Sequence, residues 1–264
     1  MSSPEQAART LLGHRASGTA NPVLPKGQRL EDFPQAYAIQ AAGDAILRAE
    51  QGYVPISYKI GASNRVARDF LGIDRPFHGR LYRQMAGPPP AAVPFVPDFF
   101  KAYEPEIGIQ IGRDLERSGA PFDAAAIEAA TQAVLPAIEL VGSHFTPWTE
   151  AGAPNLIADN AAFAHWVMGE PIRDWSGLDL LDAPIVLDID GVRRGEGKGR
   201  NVDGGAFGAA AWLANALAEK GQTLRAGDYI TTGIVMPPVA IESGQHAVAD
   251  FGCLGRVEVR MVPR

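Results

Sequence analysis

Apolar residues recur at three- and four-residue steps in two stretches near the start of the chain, residues 4–18 and 34–51. In the second, Ala36, Ile39, Ala42, Ile46 and Leu47 fall on one helical face, with Asp32 as a start signal and Gly52 as a stop. Between them, residues 20–28 (ANPVLPKGQ) read as a loop. Residues 54–63 (VPISYKIGAS) then predict a strand, and residues 63–73 a short helix capped by Ser63 or Asn64. Residues 86–100 (AGPPPAAVPFVPDFF) hold too much proline for a regular central element. They set a boundary near residue 85. Residues 1–84 form an N-terminal helical region that carries the lysine strand, and residues 85–264 form a second domain.

Beyond that boundary the period changes from helical to two. Residues 104–112 (EPEIGIQIG) alternate, residues 133–142 (AVLPAIELVG) form an apolar run, and residues 183–195 place Asp190-Gly191 between two β-prone pieces, a hairpin signal. Residues 229–235 and 252–262 predict two more strands. Helices are expected over 123–134 and over 207–221, where Gly221 is the stop. Strands in hairpin order, rather than strict strand–helix alternation, favour an α+β fold, antiparallel or mixed, over a doubly wound sheet.

Composition narrows the class. The chain has 264 residues, 46% hydrophobic and 20% charged, which is long enough and apolar enough for a buried core. The net charge of −6 argues against nucleic acid or an anionic membrane surface as partner. No apolar run is long enough to span a bilayer, and the first residues do not resemble a secretion signal, so a cytoplasmic protein is expected. The lone Cys253 excludes an internal disulfide and reads as a small buried side chain. The acidic surplus is uneven: residues 1–83 hold 11 basic and 7 acidic side chains, and residues 84–264 hold 13 and 23.

Three carboxylates in the acidic part do not look like surface. Period-two alternation puts Glu104 and Glu106 on one strand face, with Cα atoms roughly 6.5–7 Å apart. Two carboxylates that close repel unless a cation or proton lies between them, and Gly108 would leave the face beside them open to a hard divalent ion. A solvated strand face is the competing reading. Glu139 lies inside an otherwise apolar run, where a lone carboxylate costs several kcal/mol unless paired or bound to metal. An ion pair with an arginine is the alternative there. Lys59, on a strand predicted to enter the core, suits an anionic substrate or proton donation, against a lysine that reaches solvent. Asp159 and Asn160 read as a helix cap or turn. Residues 195–199 (GEGKG) match neither a Walker loop nor a dinucleotide fingerprint and read as a mobile loop able to contact substrate through Lys198. The five histidines, 14, 78, 144, 165 and 246, show no metal-ligand spacing.

Taken in order, Tyr58–Ser63, Glu104–Gly108, Pro136–Leu140, Ile157–Asn160, Ala211–Asn215, Leu224–Asp228, Thr232-Gly233 and Phe251–Gly255 resemble the 2-keto-4-pentenoate hydratase and 4-oxalocrotonate decarboxylase family of the fumarylacetoacetate hydrolase superfamily. The resemblance runs from about residue 30 to the end. It implies a fumarylacetoacetate hydrolase-like mixed β-roll catalytic domain after a smaller N-terminal helical region. It also implies Mg²⁺ or Mn²⁺ on Glu104, Glu106 and Glu139, Lys59 near a small anionic 2-oxo acid, and homo-oligomers able to join a sister hydratase or decarboxylase. Ser63, Asp159, Asn160, Lys198 and Thr232 become candidate substrate contacts, and Arg65 and Arg80 further cationic ones.

The chain departs from the family where protons move. An Asp that the hydratases carry after the lysine strand is Phe77 here, in Arg75-Pro76-Phe77-His78-Gly79. The family's D-S-R becomes Gly142-Ser143-His144, and its G-H/N-P becomes Gly204-Gly205-Ala206. His78 and His144 are therefore the candidate replacements for the missing acid–base group. The expected activity is a metal-dependent lyase, first a hydratase and alternatively a 4-oxalocrotonate-type decarboxylase. An acylpyruvate or fumarylacetoacetate-type hydrolase, with His14 as the only early base, and a non-catalytic partner subunit are the other readings.

Overall fold

The computed structural model describes residues 3–19, 21–22 as backbone, and 30–264. The loop expected over residues 20–28 falls, apart from 21–22, outside the described residues. Helix α1 (Pro4–Ser17) starts at Ser3, whose hydroxyl accepts from Gln6 N while the Gln6 side chain returns to Ser3 N. Helix α2 (Phe33–Gln51) starts at Asp32 and closes at Gly52, as the sequence signals require. Asn64 rather than Ser63 caps α3 (Arg65–Leu71), accepting from Ala67 N at 2.9 Å.

Strands β1 (Pro55–Gly61) and β2 (Phe77–Tyr82) form an antiparallel pair, and β3 (Ala91–Pro94) follows. Next come β4 (Phe100–Ile111), α4 (Ala124–Ala130), β5 (Thr131–Gly142), α5 (Ala153–Ala158) and β6 (Phe163–Met168). The chain ends with β7 (Pro184–Ile189), β8 (Val192–Lys198), α6 (Gly205–Glu219), β9 (Tyr229–Thr231), β10 (His246–Asp250) and β11 (Arg256–Val262). One eight-stranded sheet runs β2-β1-β9-β4-β5-β6, completed by two-residue strands at 86–87 on β6 and 239–240 on β4. A five-stranded sheet runs β8-β7-β10-β11-β3. In the large sheet β1 is parallel to β9, and in the small one β3 is parallel to β11, so the architecture is mixed. Strands from both sides of residue 85 share the large sheet, which brings the lysine strand beside the glutamate strands.

Three local expectations change. The helix expected over 123–134 stops at Ala130, because pairing of Ala133 and Val134 with Gln110 and Ile109 in β4 overrides the helical propensity of the alanines. Residues 195–199 are not a loop: they lie largely in β8, paired with β7 across a turn in which Asp190 (φ 52°) and Gly191 (φ 78°) take the left-handed conformations the sequence anticipated. The strand expected over 229–235 ends at Thr231, before Gly233 turns at φ 113°. A fourth concerns the cysteine: Cys253 is exposed, in a short turn before β11, rather than buried.

The main core lies between the two sheets and α6, with Ile107, Ile109, Ile185, Leu187, Leu213 and Val257 among its fully buried members. Each such side chain contributes about 1.5–3 kcal/mol on burial. Along β4, Ile107, Ile109 and Ile111 take one face, so a one-residue slip would exchange them for Glu106 and Gln110. That penalty fixes the direction of the glutamates. A second cluster joins α1 and α2 to α5 and Phe77, covering the N-terminal end of the large sheet.

Candidate metal and substrate site

Glu104 and Glu139 stand directly opposite each other on β4 and β5, and Glu106 follows Glu104 by two residues on the same face. Carboxylate oxygens of all three lie within 4.8 Å of one another, and Glu106 and Glu139 are fully buried. Glu106 Oε2 accepts from the Thr231 hydroxyl and from Gly233 N at 2.7 Å. Glu106 Oε1 and Glu139 Oε2 have no hydrogen-bond partner among the described residues.

Lys59 reaches this group from β1, by way of β9, whose Thr231 pairs with Lys59 on one side and Gly108 on the other. Its ammonium lies 2.7 Å from Glu139 Oε1 in a buried ion pair, and it donates to Ala161 O at 3.0 Å. Burial alone would lower the Lys59 pKa, but Glu139, Glu104 and Glu106 outweigh it and the net shift is upward. Burial and then repulsion from Glu104, opposed by Lys59, push the Glu106 carboxyl up to about 7, and burial likewise raises Glu104 and Glu139. Three carboxylates against one ammonium leave the cluster two charges short of neutrality. Unpartnered buried oxygens and that charge deficit fit one divalent cation with oxygen ligands.

The carbonyl that holds Lys59 comes from an unusual turn. Asn160, Ala161 and Ala162 all have positive φ, between 51° and 58°. The turn is held from two sides. The Asn160 amide accepts from Arg80 N at 2.8 Å and donates to Arg80 O at 3.0 Å, completing the edge of β2. Asp159 accepts from His144 N at 2.7 Å and binds His144 Nδ1 through its other oxygen. Gly79 lets the turn pass close over β2, since a Cβ there would lie 2.5 Å from Asn160 O.

Beside Lys59 and Glu104 opens a cavity of about 620 Å³. Its walls are mostly apolar, from Gly61, Phe77, Val141, Trp148, Leu156 and the 234–238 segment, with α3 along one rim. A separate, smaller pocket of about 30 Å³ between α1, α2 and Asp159 reaches neither Lys59 nor the three glutamates.

The structure brings together Lys59, Glu104, Glu106 and Glu139 but redistributes the other candidates. His78 is on the opposite face of β2 from Lys59, against Tyr37 and Tyr58, with Lys220 Nζ 3.4 Å from Nε2. Burial, followed by Lys220 and Arg80, pushes its imidazole down to about 3, so it is neutral and turned away. Arg80 shares that face, its guanidinium 4.1 Å over the Tyr58 ring, and does not line the cavity. Arg65 does border the cavity, but it is 84% exposed and paired with Asp69. His144 is buried against Phe99 and occupied by Asp159, outside the cavity wall, and His14 bonds Thr19 in α1's C-terminal turn. No histidine lines the cavity, among the described residues. Asp159 and Asn160 shape the turn rather than face the cavity.

Ser63 packs on Gly233, where any Cβ would strike its Oγ. Thr232 donates to Ile107 O at 2.7 Å and is buried, leaving Thr231 as the threonine that meets Glu106. Lys198 pairs with Asp182 at 3.3 Å on the surface of β8, away from the cavity. Gly108 does not open the carboxylate face, because Leu135 and Trp166 fill its empty side-chain space. The sequence reading missed Thr231, the Gly233 N–H and the Ala161 carbonyl. Alternation through Thr231-Thr232 could have singled out Thr231; a backbone carbonyl leaves no residue-type signal.

Known proteins resemble this chain over most of its length. The family model described as fumarylacetoacetate (FAA) hydrolase C-terminal matches residues 87–262. The chain is 31% identical over 255 residues to a 2-keto-4-pentenoate hydratase of Paraburkholderia xenovorans, covering 96% of this chain and 93% of that protein. It is 32% identical over 202 residues to a 2-hydroxyhexa-2,4-dienoate hydratase of Comamonas testosteroni, covering 76% and 75%. In fold it matches 4-oxalocrotonate decarboxylase of Pseudomonas putida G7, solved with magnesium and adipate, at a TM-score of 0.90 and 22% identity, over 98% of this chain and 97% of that one. With the carboxylate triad and the lysine in the positions that the sequence resemblance assigned them, the chain belongs to the 2-keto-4-pentenoate hydratase and 4-oxalocrotonate decarboxylase family of the fumarylacetoacetate hydrolase superfamily.

Proposed function

We propose that the protein is a divalent-metal-dependent lyase of small unsaturated 2-oxo acids, acting as a hydratase of the 2-oxopent-4-enoate type. The observation that carries this reading is the meeting of Glu104, Glu106 and Glu139 with Lys59 at the base of one cavity. Similarity to curated hydratases over nearly the whole chain supports it. Mg²⁺ or Mn²⁺ on the three carboxylates would supply Lewis acidity toward the carboxylate and 2-oxo oxygens of such an acid. Thr231 and Gly233 N–H fix one oxygen of Glu106, so the carboxylate keeps its orientation whatever the cavity holds.

Lys59, held by Ala161 O and Glu139, is the buried cation at the cavity. It receives the anionic end of the substrate and offers a proton at Nζ where negative charge builds on the oxo-acid carbons. Hydration then needs water delivered to C4 and a proton on the chain carbon beyond it. Phe77 stands on the cavity wall where the hydratases carry an acid. That substitution supports a second reading, decarboxylation, in which the same electron sink suffices and no group must activate water. A carbon–carbon hydrolase needs a histidine at the cavity and is the weaker fit. Lys59 and the three glutamates also oppose a non-catalytic subunit. Family membership supports a cytoplasmic homo-oligomer able to pair with a sister enzyme, and sedimentation of the pure protein tests the assembly.

The purified chain is to be incubated with Mg²⁺ or Mn²⁺ and, separately, 2-hydroxypenta-2,4-dienoate, 4-oxalocrotonate and an acylpyruvate, with and without EDTA. Loss of the dienol absorbance without CO₂ supports the hydratase, and CO₂ release supports the decarboxylase. Pyruvate from the acylpyruvate supports the hydrolase. Full activity in EDTA, or in Glu106→Ala, would refute the metal-dependent reading.

A further inference from the structure

The cavity is larger and less polar than a pentadienoate needs. Its volume of about 620 Å³ sits in the middle of the range that encloses drug-sized molecules. Near the carboxylates it is charged; away from them the wall is mostly apolar, with Phe77, Val141, Trp148, Leu156 and Met236, and Asn64 and Asn201 are among its fewer polar members. Phe77 covers Gly61, where a Cβ would strike its ring, so an aromatic face takes the place beside the lysine strand.

Among the described residues, the cations that border the cavity are Lys59 and Arg65. Lys59 is held by Glu139 at the inner end. Arg65 is directed to solvent and to Asp69, and the acidic Asp203 on the wall is already paired with Arg68. With Lys59 taken up by Glu139 and the first carboxylate, a second carboxylate on the substrate would meet a mostly apolar wall whose one other cation, among the described residues, is the solvent-facing Arg65, a costly desolvation. An apolar group would gain from the same surface.

Building on the proposed 2-oxo acid chemistry, we infer that this site selects substrates with a bulky uncharged tail. The tail is an aryl or comparably large alkyl group on the chain beyond the 2-oxo acid, in preference to a short chain or a dicarboxylate. Trp148, which is only half-buried at the wall, and Phe77 are the specificity-determining residues.

Calorimetry on the full chain loaded with Mg²⁺ tests this with three non-reacting probes: 2-oxobutanoate, 2-oxo-4-phenylbutanoate and 2-oxoglutarate. The phenyl acid is expected to bind at least about tenfold more tightly than 2-oxobutanoate, the low end of what an apolar pocket contributes for a filled subsite. The dicarboxylate is expected to bind more weakly than either. In Trp148→Ala, with the fold checked by circular dichroism, the phenyl preference should shrink to within about threefold; Phe77→Ala serves as the second variant. Equal binding of the phenyl and short acids, or tightest binding of 2-oxoglutarate, overturns the tail assignment while leaving the 2-oxo acid reading intact. Failure of every 2-oxo acid to bind the Mg²⁺-loaded chain overturns both.

Discussion

Replacing His78 with Phe separates a catalytic histidine from a buried one. The ring sits 4.7 Å from Tyr37 and 5.5 Å from Tyr58, and its Nδ1 has no hydrogen-bond partner among the described residues, so Phe can fill the same space and gives up only the 3.4 Å contact of Nε2 with Lys220. Its folded pKa of about 3 lies well below the ordinary value of 6.5. The unfolded chain therefore binds a proton between those limits that the folded chain refuses. Stability from the neutral imidazole is fully present above about pH 6.5 and is lost as pH falls toward 3. At pH 5 the loss is about 2 kcal/mol relative to pH 7.5, from roughly 1.36 kcal/mol for each pH unit below the unfolded pKa. Urea unfolding of wild type and His78→Phe at both pH values isolates this contribution. His165, half-buried and also pushed down to about 4 by desolvation, acts equally in both proteins and cancels. The variant should lose about 2 kcal/mol less than wild type on acidification and keep turnover within a few-fold. Identical pH slopes would refute the buried, neutral imidazole. A well-folded variant without activity would return His78 to the chemistry.

Three further outcomes follow from the site. Lys59→Met leaves Glu139 buried beside two other carboxylates without its cation, and should destabilise the metal-free protein by about 3–5 kcal/mol in a urea titration; a change under about 1 kcal/mol would mean that the ion pair carries little. Gly79→Ala drives a Cβ into Asn160 O and should displace the turn that presents Ala161 O, costing about 1–3 kcal/mol and most of the turnover; unchanged stability would show that the turn can yield freely. Cys253, exposed before β11, should react with a thiol reagent in the native protein to about one equivalent per chain, whereas reaction only after unfolding would show it buried.

Much of this protein was written locally. The caps at Asp32 and Asn64, the Asp190-Gly191 turn and the alternation through Glu104 and Glu106 each depend on neighbours within a few residues, and such signals survive in a single sequence. Glu139 was legible for a different reason: a carboxylate in an apolar run has to be compensated wherever the chain goes. What local pattern could not supply was depth and direction across strands. Alternation puts His78 and Phe77 on opposite faces of β2, but only pairing with β1 says which face holds Lys59. That choice removed His78 and Arg80 from the site and turned Phe77 into its wall. Thr231 and Thr232 were told apart the same way, by which of them β9 aims at Glu106. The helix expected over 123–134 lost its last turn because pairing with β4 outweighed the propensity of its alanines. The sequence thus determined which residues had to be compensated and where the chain turns. Tertiary structure decided which of them meet, since sheet register and facing are set by contacts between residues far apart in the chain.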